Sequence, residues 1–164
     1  MRQADLELLM DALKEPMRNF VRESRVRICL LVNGAGQVLS QHGFTRSYEV
    51  MNVASLAASA HASARALGEI SGAGGWRHMH HVGKERQLFL APFKTPVQEL
   101  ILVAIFDDDS SLGLVQLFFD RLAGEVVALP QFMTARASKD AASFEQDLES
   151  GLEGIFRNDP GRGN

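Results

Sequence analysis

A single cysteine, Cys29, leaves this chain without a disulfide of its own, so its core has to hold by packing alone. Long apolar runs are missing too. Leu100 to Phe106 and Leu112 to Leu117 are the longest, far short of the roughly 20 residues that cross a bilayer. There is no basic excess: 17 Lys and Arg stand against 20 Asp and Glu, a formal charge of -3. A nucleic-acid partner would call for a basic stripe. The start, Met1-Arg2-Gln3-Ala4-Asp5, is polar and leads directly into an amphipathic pattern, so no signal peptide is expected. With one thiol and no leader, the predicted setting is reducing and cytoplasmic.

Motifs of catalysis are equally scarce. No GxxxxGK followed by Ser or Thr occurs, and no GxSxG. Gly34-Ala35-Gly36 joins two strands instead of opening a helix, which makes it a hairpin turn and not a phosphate cradle. On a strand, His78 and His80 point to one face and His81 to the other, and two imidazoles are too few for a closed zinc site. Asp107-Asp108-Asp109 lacks EF-hand spacing and suits the positive end of a following helix. Cys29 reads as a small buried apolar residue. His61 has no acidic partner nearby in sequence. The expectation is a chain with no catalytic residue, metal, cofactor or small-molecule substrate of its own.

What is present is periodicity. Of the 164 residues 46% are hydrophobic, enough for one domain with a proper core and a short appendage. Leu6, Leu9, Met10, Leu13, Met17, Phe20 and Val21 recur at helical spacing, with Pro16 predicting either a kink or a fresh helix start. Val26, Ile28, Leu30 and Val32 alternate as a strand, and Val38 to His42 returns after the glycine turn. Asn52 to Ile70 predicts an Ala- and Ser-rich helix, ended by Gly68 or Gly72. Val53, Leu56, Ala57, Ala60, Ala64 and Leu67 are expected on its core face. Trp76 to Val82, Gln87 to Phe93 and Leu100 to Phe106 follow as strands, the last one central. After a cap at Ser110 or Ser111, Leu112, Val115, Phe119, Leu122, Val126 and Leu129 form a helical stripe. The fold class is therefore α/β (α+β): a three-layer α/β/α arrangement around a five-stranded antiparallel sheet, in the order α-β-β-α-β-β-β-α, plus a C-terminal tail. Residues 1–129 make the domain, 130–143 a polar linker and 144–164 a tail. Phe144, Leu148, Leu152, Ile155 and Phe156 would share one stripe there, and Gly151 and Gly154 weaken any helix in isolation.

The stretch Phe106-Asp107-Asp108-Asp109-Ser110-Ser111-Leu112-Gly113-Leu114-Val115 resembles the last-strand-to-last-helix junction of the roadblock (dynein light chain type) family. The hairpin Leu30 to Leu39, the helix opening Val53 to Ala58 and the turn His81-Val82-Gly83-Lys84-Glu85 resemble the family as well. The resemblance covers roughly residues 5–129 and is nearest the bacterial MglB-like members, which regulate a Ras-like motility and polarity GTPase. Their acidic, Phe-ended tail is similar to Phe144–Phe156. The resemblance implies a cytoplasmic homodimer whose third strands meet edge to edge, here through Trp76, His78, His80 and Val82. It also implies that a small Ras-like GTPase docks on the central helix, without an arginine finger from this chain. The helix face opposite the expected core side, Ser55, Ala58, Ser59, Ala62, Arg65, Ala66 and Glu69, is the expected docking surface, together with Phe144, Leu148, Leu152, Ile155 and Phe156. The alternative is a small-molecule-sensing or purely structural module of profilin-like or PAS-like architecture.

Overall fold

The first helix, α1 (Gln3–Ser24), forms because Leu9, Leu13, Met17, Phe20 and Ser24 fall on one stripe, and all five are buried. In this computed structural model, which describes residues 3–43, 47–133, 142–143 and 146, α1 does not restart at Pro16. The proline ring is buried and lines a groove with Phe118 and Leu122 of the last helix, so tertiary packing offsets the backbone donor it lacks. Arg25, in the left-handed region at φ 57°, ends α1 and turns the chain into the sheet.

Strand β1 (Ile28–Asn33) pairs antiparallel with β2 (Val38–His42) through the expected hairpin. Asn33 builds the turn: its Oδ1 accepts from the N–H groups of Ala35 and Gln37, each at 3.0 Å. Gly36 then supplies the positive φ of 79°. Helix α2 (Ser47–Ser71) crosses to the opposite face of the sheet, and β3 (Met79–Val82), β4 (Gln87–Lys94) and β5 (Glu99–Phe106) complete it. The strand order is β2-β1-β5-β4-β3, antiparallel throughout, with β5 central as its continuous apolar run requires. Helix α3 (Leu112–Val127) starts at an N-cap, Ser111, whose Oγ accepts from the Leu114 N–H at 3.3 Å.

Two cores result, one on each side of the sheet. Alternate strand residues Cys29, Leu31, Phe89, Leu100, Leu102 and Phe106 pack under α1 and α3. Leu30, Val32, Leu90, Ile101 and Val103 pack under α2. Three layers, α1 and α3 over the sheet over α2, follow from this alternation. Phe132 is fully buried in the larger core, within the stretch expected as linker. Residues 130–133 turn helically beneath it. Burial pushes the Cys29 thiol well above its ordinary range, in keeping with a small apolar core residue. No helix among the described residues is long and apolar enough to cross a membrane.

Candidate partner-binding surface

Helix α2 decides what the domain can offer a partner, and its faces differ from the expected ones. Val50, Ala54, Ala57, His61 and Gly68 are the residues turned to the sheet. Leu56 and Leu67, expected in the core, are instead 69% and 67% exposed. The reason lies in size. Ala54 and Ala57 let the helix lie close over Leu30, Val32, Leu90, Ile101 and Val103, which fill that core. Gly68 packs against the loop that follows α2. A Cβ there would lie 2.0 Å from the Gly74 carbonyl oxygen, a clash that only a backbone shift could relieve.

The outer face of α2 therefore carries two parallel rows. Leu56, Ser63, Leu67 and Ile70 form the first and Ser55, Ala62, Ala66 and Glu69 the second, each at spacings of one helical face. Ser55, Ser59, Ala62, Arg65, Ala66 and Glu69 are all exposed. Ala58 is half-buried, because the β1–β2 turn comes close: a Cβ at Gly36 would sit 3.7 Å from Ala58 Cβ. Arg65 and Glu69 face one another at 3.9 Å.

The second surface is the sheet edge. β3 has only β4 as a neighbour, and its other side is open among the described residues. Trp76 and His78, expected on this strand, precede it. Trp76 folds back against the α2 side of the core, its ring 5.6 Å from that of His61. His78 stacks on Phe89 and lies 3.0 Å from the Gln116 amide. His80 is half-buried, stacked on Phe106 and 2.9 Å from Gln87 Oε1, while Val82 is exposed. The tail residues Phe144, Leu148, Leu152, Ile155 and Phe156 lie outside the described residues.

Elsewhere the titratable groups are structural. Asp107 is held by Arg27, whose Nε donates to Oδ2 at 2.8 Å; a second Arg27 nitrogen donates to Asp109. That guanidinium, with the Asp109 N–H at 3.1 Å, keeps the Asp107 carboxyl below the usual carboxylate range. Arg27, just before β1, is thus tied to Asp107 and Asp109 in the β5–α3 junction, and no carboxylate falls in the first turn of α3. Among the described residues no group of three or more His, Cys, Asp or Glu could hold a metal ion. Sequence reasoning missed one pair, His61 and Glu99, which lie 38 residues apart and meet at 2.9 Å.

A five-stranded antiparallel sheet in this order, with two helices on one face and one on the other, agrees with what family comparison finds. The Roadblock/LC7 domain model matches residues 13–106, more than half of the chain. The chain belongs to the Roadblock/LC7 family. This roadblock domain superposes on Myxococcus xanthus MglB with a TM-score of 0.64 at 24% identity, over 72% of this chain and 86% of that one. The gliding protein MglB of Thermus thermophilus gives 0.62 at 23% identity, over 77% and 91%. A Roadblock/LC7 domain from Streptomyces avermitilis gives 0.59 at 21% identity, over 68% and 92%. No curated protein matches the sequence.

Proposed function

We propose that this roadblock domain is a homodimeric, cytoplasmic regulator that binds a small Ras-like GTPase and modulates its nucleotide cycle, as an activator without an arginine finger. The observation that carries the reading is the exterior of α2. A row of bulky apolar side chains, Leu56, Leu67 and Ile70, is exposed beside a row of small ones, Ser55, Ala62 and Ala66. Bulky apolar residues left in water at such density mark a contact surface. Small residues admit close backbone approach of a second protein. The apolar row takes the α2 helix of a second copy, and the small row with Arg65 and Glu69 receives the GTPase.

The open edge of β3 supports the dimer. An unpaired edge is a standing invitation to another strand, and an antiparallel, isologous pairing joins two sheets into one while bringing the two α2 helices onto one side. The shared fold with two MglB proteins, one of them a gliding protein, supports a GTPase of the motility and polarity kind. Phe144, Leu148, Leu152, Ile155 and Phe156 supply a second docking element that lays its apolar stripe in a groove of the GTPase.

The test is a pull-down from lysate with the full chain as bait, with and without a non-hydrolysable GTP analogue. Nucleotide-dependent capture of a small GTPase, whose hydrolysis or exchange then changes on adding the domain, is the expected result. Purified GTPases that neither bind nor change rate would remove the reading.

A further inference from the structure

Of the five histidines, His80 and His81 stand on the open edge of β3 and His78 just before it. The hairpin bond from the Gly83 N–H to the Arg86 carbonyl, at 2.9 Å, sets the parity of the ladder. With Val82 opposite Gln87 and His80 opposite Phe89, the odd-numbered residues of β3 bond to β4. His80 and Val82 therefore aim their N–H and C=O groups at the open side. Side chains alternate: His78 and His80 lie on the α3 face, against Gln116 and Phe106, and His81 on the face of α2.

An antiparallel two-fold pairing through this short edge that stops before the turn at Gly83 centres on Met79, His80 or His81. Centred on Met79, His78 stands opposite His80 of the second copy, twice. Centred on His80, the two copies of that residue oppose each other. Centred on His81, the same holds for His81. Each of these three registers sets imidazoles directly across the seam, with Cα atoms about 4.5 to 5.5 Å apart.

We infer that the β3 seam of the dimer is proton-sensitive, the two copies being held together while these imidazoles are neutral and driven apart when they become charged. This rests on the homodimer reading above. Histidine is the ordinary side chain that changes charge between pH 8 and 5, and like charges directly opposite on paired strands repel. The surroundings do not compensate. The partners of His78 and His80 on β4, β5 and α3 are Phe89, Gln87, Phe106 and Gln116, all uncharged. On the same hairpin Arg77, Lys84 and Arg86 outnumber Glu85, all exposed. Of the other carboxylates, Asp107 after β5 is held by Arg27, and Glu69 on α2 faces Arg65. Asp120, one turn beyond Gln116 on α3, is the carboxylate placed to oppose the effect, and it is exposed.

Sedimentation velocity of the full chain at several micromolar concentrations, with EDTA, at pH 8.0 and 5.5, tests this. The expected result is a dimer at pH 8.0 whose dissociation constant rises at least about threefold at pH 5.5. The far-ultraviolet spectrum should be unchanged between the two. His78→Gln/His80→Gln/His81→Gln should remove the pH dependence, and the single exposed change His81→Gln guards against a triple variant that does not fold. A wild-type dimer of equal affinity at both pH values overturns the inference and leaves the dimer standing. A monomer at both removes the dimer reading itself. An unaltered pH dependence in the folded triple variant places the titration elsewhere and overturns the inference too.

Discussion

His61, midway along α2, meets Glu99 at the head of β5, with 2.9 Å between Nε2 and Oε2. His61 is 6% exposed, and its other ring nitrogen, Nδ1, is buried without a partner among the described residues. This bond ties α2 to the head of β5, beside the tilted contact of His61 with Trp76 and a core of Leu30, Val32, Leu90, Ile101 and Val103. Glu99→Ala leaves the buried imidazole wholly unpaired, which costs about 1–3 kcal/mol. Urea unfolding followed by the fluorescence of Trp76, the only tryptophan, reads both the loss and any change at the ring. An unchanged midpoint would show that the bond fastens nothing.

The Arg27–Asp107 ion pair predicts acid behaviour. Asp107 has its folded-state affinity for protons lowered by Arg27 first, so the pair stabilises the fold above the ordinary carboxylate value. That contribution is lost as pH falls from about 4 downward, through the depressed folded value. Arg27→Ala should therefore flatten the fall in melting temperature between pH 5 and pH 3 relative to wild type. Parallel curves would mean that the exposed clamp is screened to nothing.

Much of this fold was legible because its periods are clean. Leu9, Leu13, Met17 and Phe20 leave no doubt about the inner face of α1, and the run Leu100–Phe106 could only be a central strand. Helix α2 resisted because its composition blurs the period. Where alanine and serine lie on all sides, the eye assigns the leucines inward, yet the buried face carries Val50, Ala54, Ala57 and His61. Trp76 suggested strand by propensity, but Gly72, Gly74 and Gly75 just before it let the chain fold back on α2. His61 and Glu99 were invisible, since no local spacing links residues from different elements.

The corrected face of α2 separates assembly from folding. Leu56→Asp, on the exposed row, should leave the melting temperature close to wild type and weaken the dimer in sedimentation at least tenfold. Ala57→Asp, one residue along and 4% exposed, puts an unpaired carboxylate in the core and should destabilise the domain by about 3 kcal/mol or more. If Leu56→Asp stays fully dimeric, the apolar row belongs to another partner.

Docking on the small row is open to a direct block. Ala62 is exposed, so Ala62→Trp should be carried by the fold without loss, while its indole holds an approaching GTPase off the helix. Normal nucleotide-dependent capture by this variant would move the docking site away from α2.

Phe132 decides where the domain ends. It is fully buried among the residues that pack under α1 and α3, five residues beyond the last residue of α3. A chain stopped at Leu129 loses that side chain and leaves its site empty, at a cost of about 3–5 kcal/mol. A chain stopped at Met133 keeps it and should unfold at the urea midpoint of the full protein. Phe132→Ala in the full chain should reproduce the first loss, which separates the side chain from the truncation. Removing residues 144–156 alone should then leave that midpoint within error, if Phe144, Leu148, Leu152, Ile155 and Phe156 serve the GTPase and not the core. The same deletion should raise the dissociation constant for the GTPase or change its hydrolysis or exchange rate. Unaltered affinity and unaltered rates would confine the partner contacts to α2.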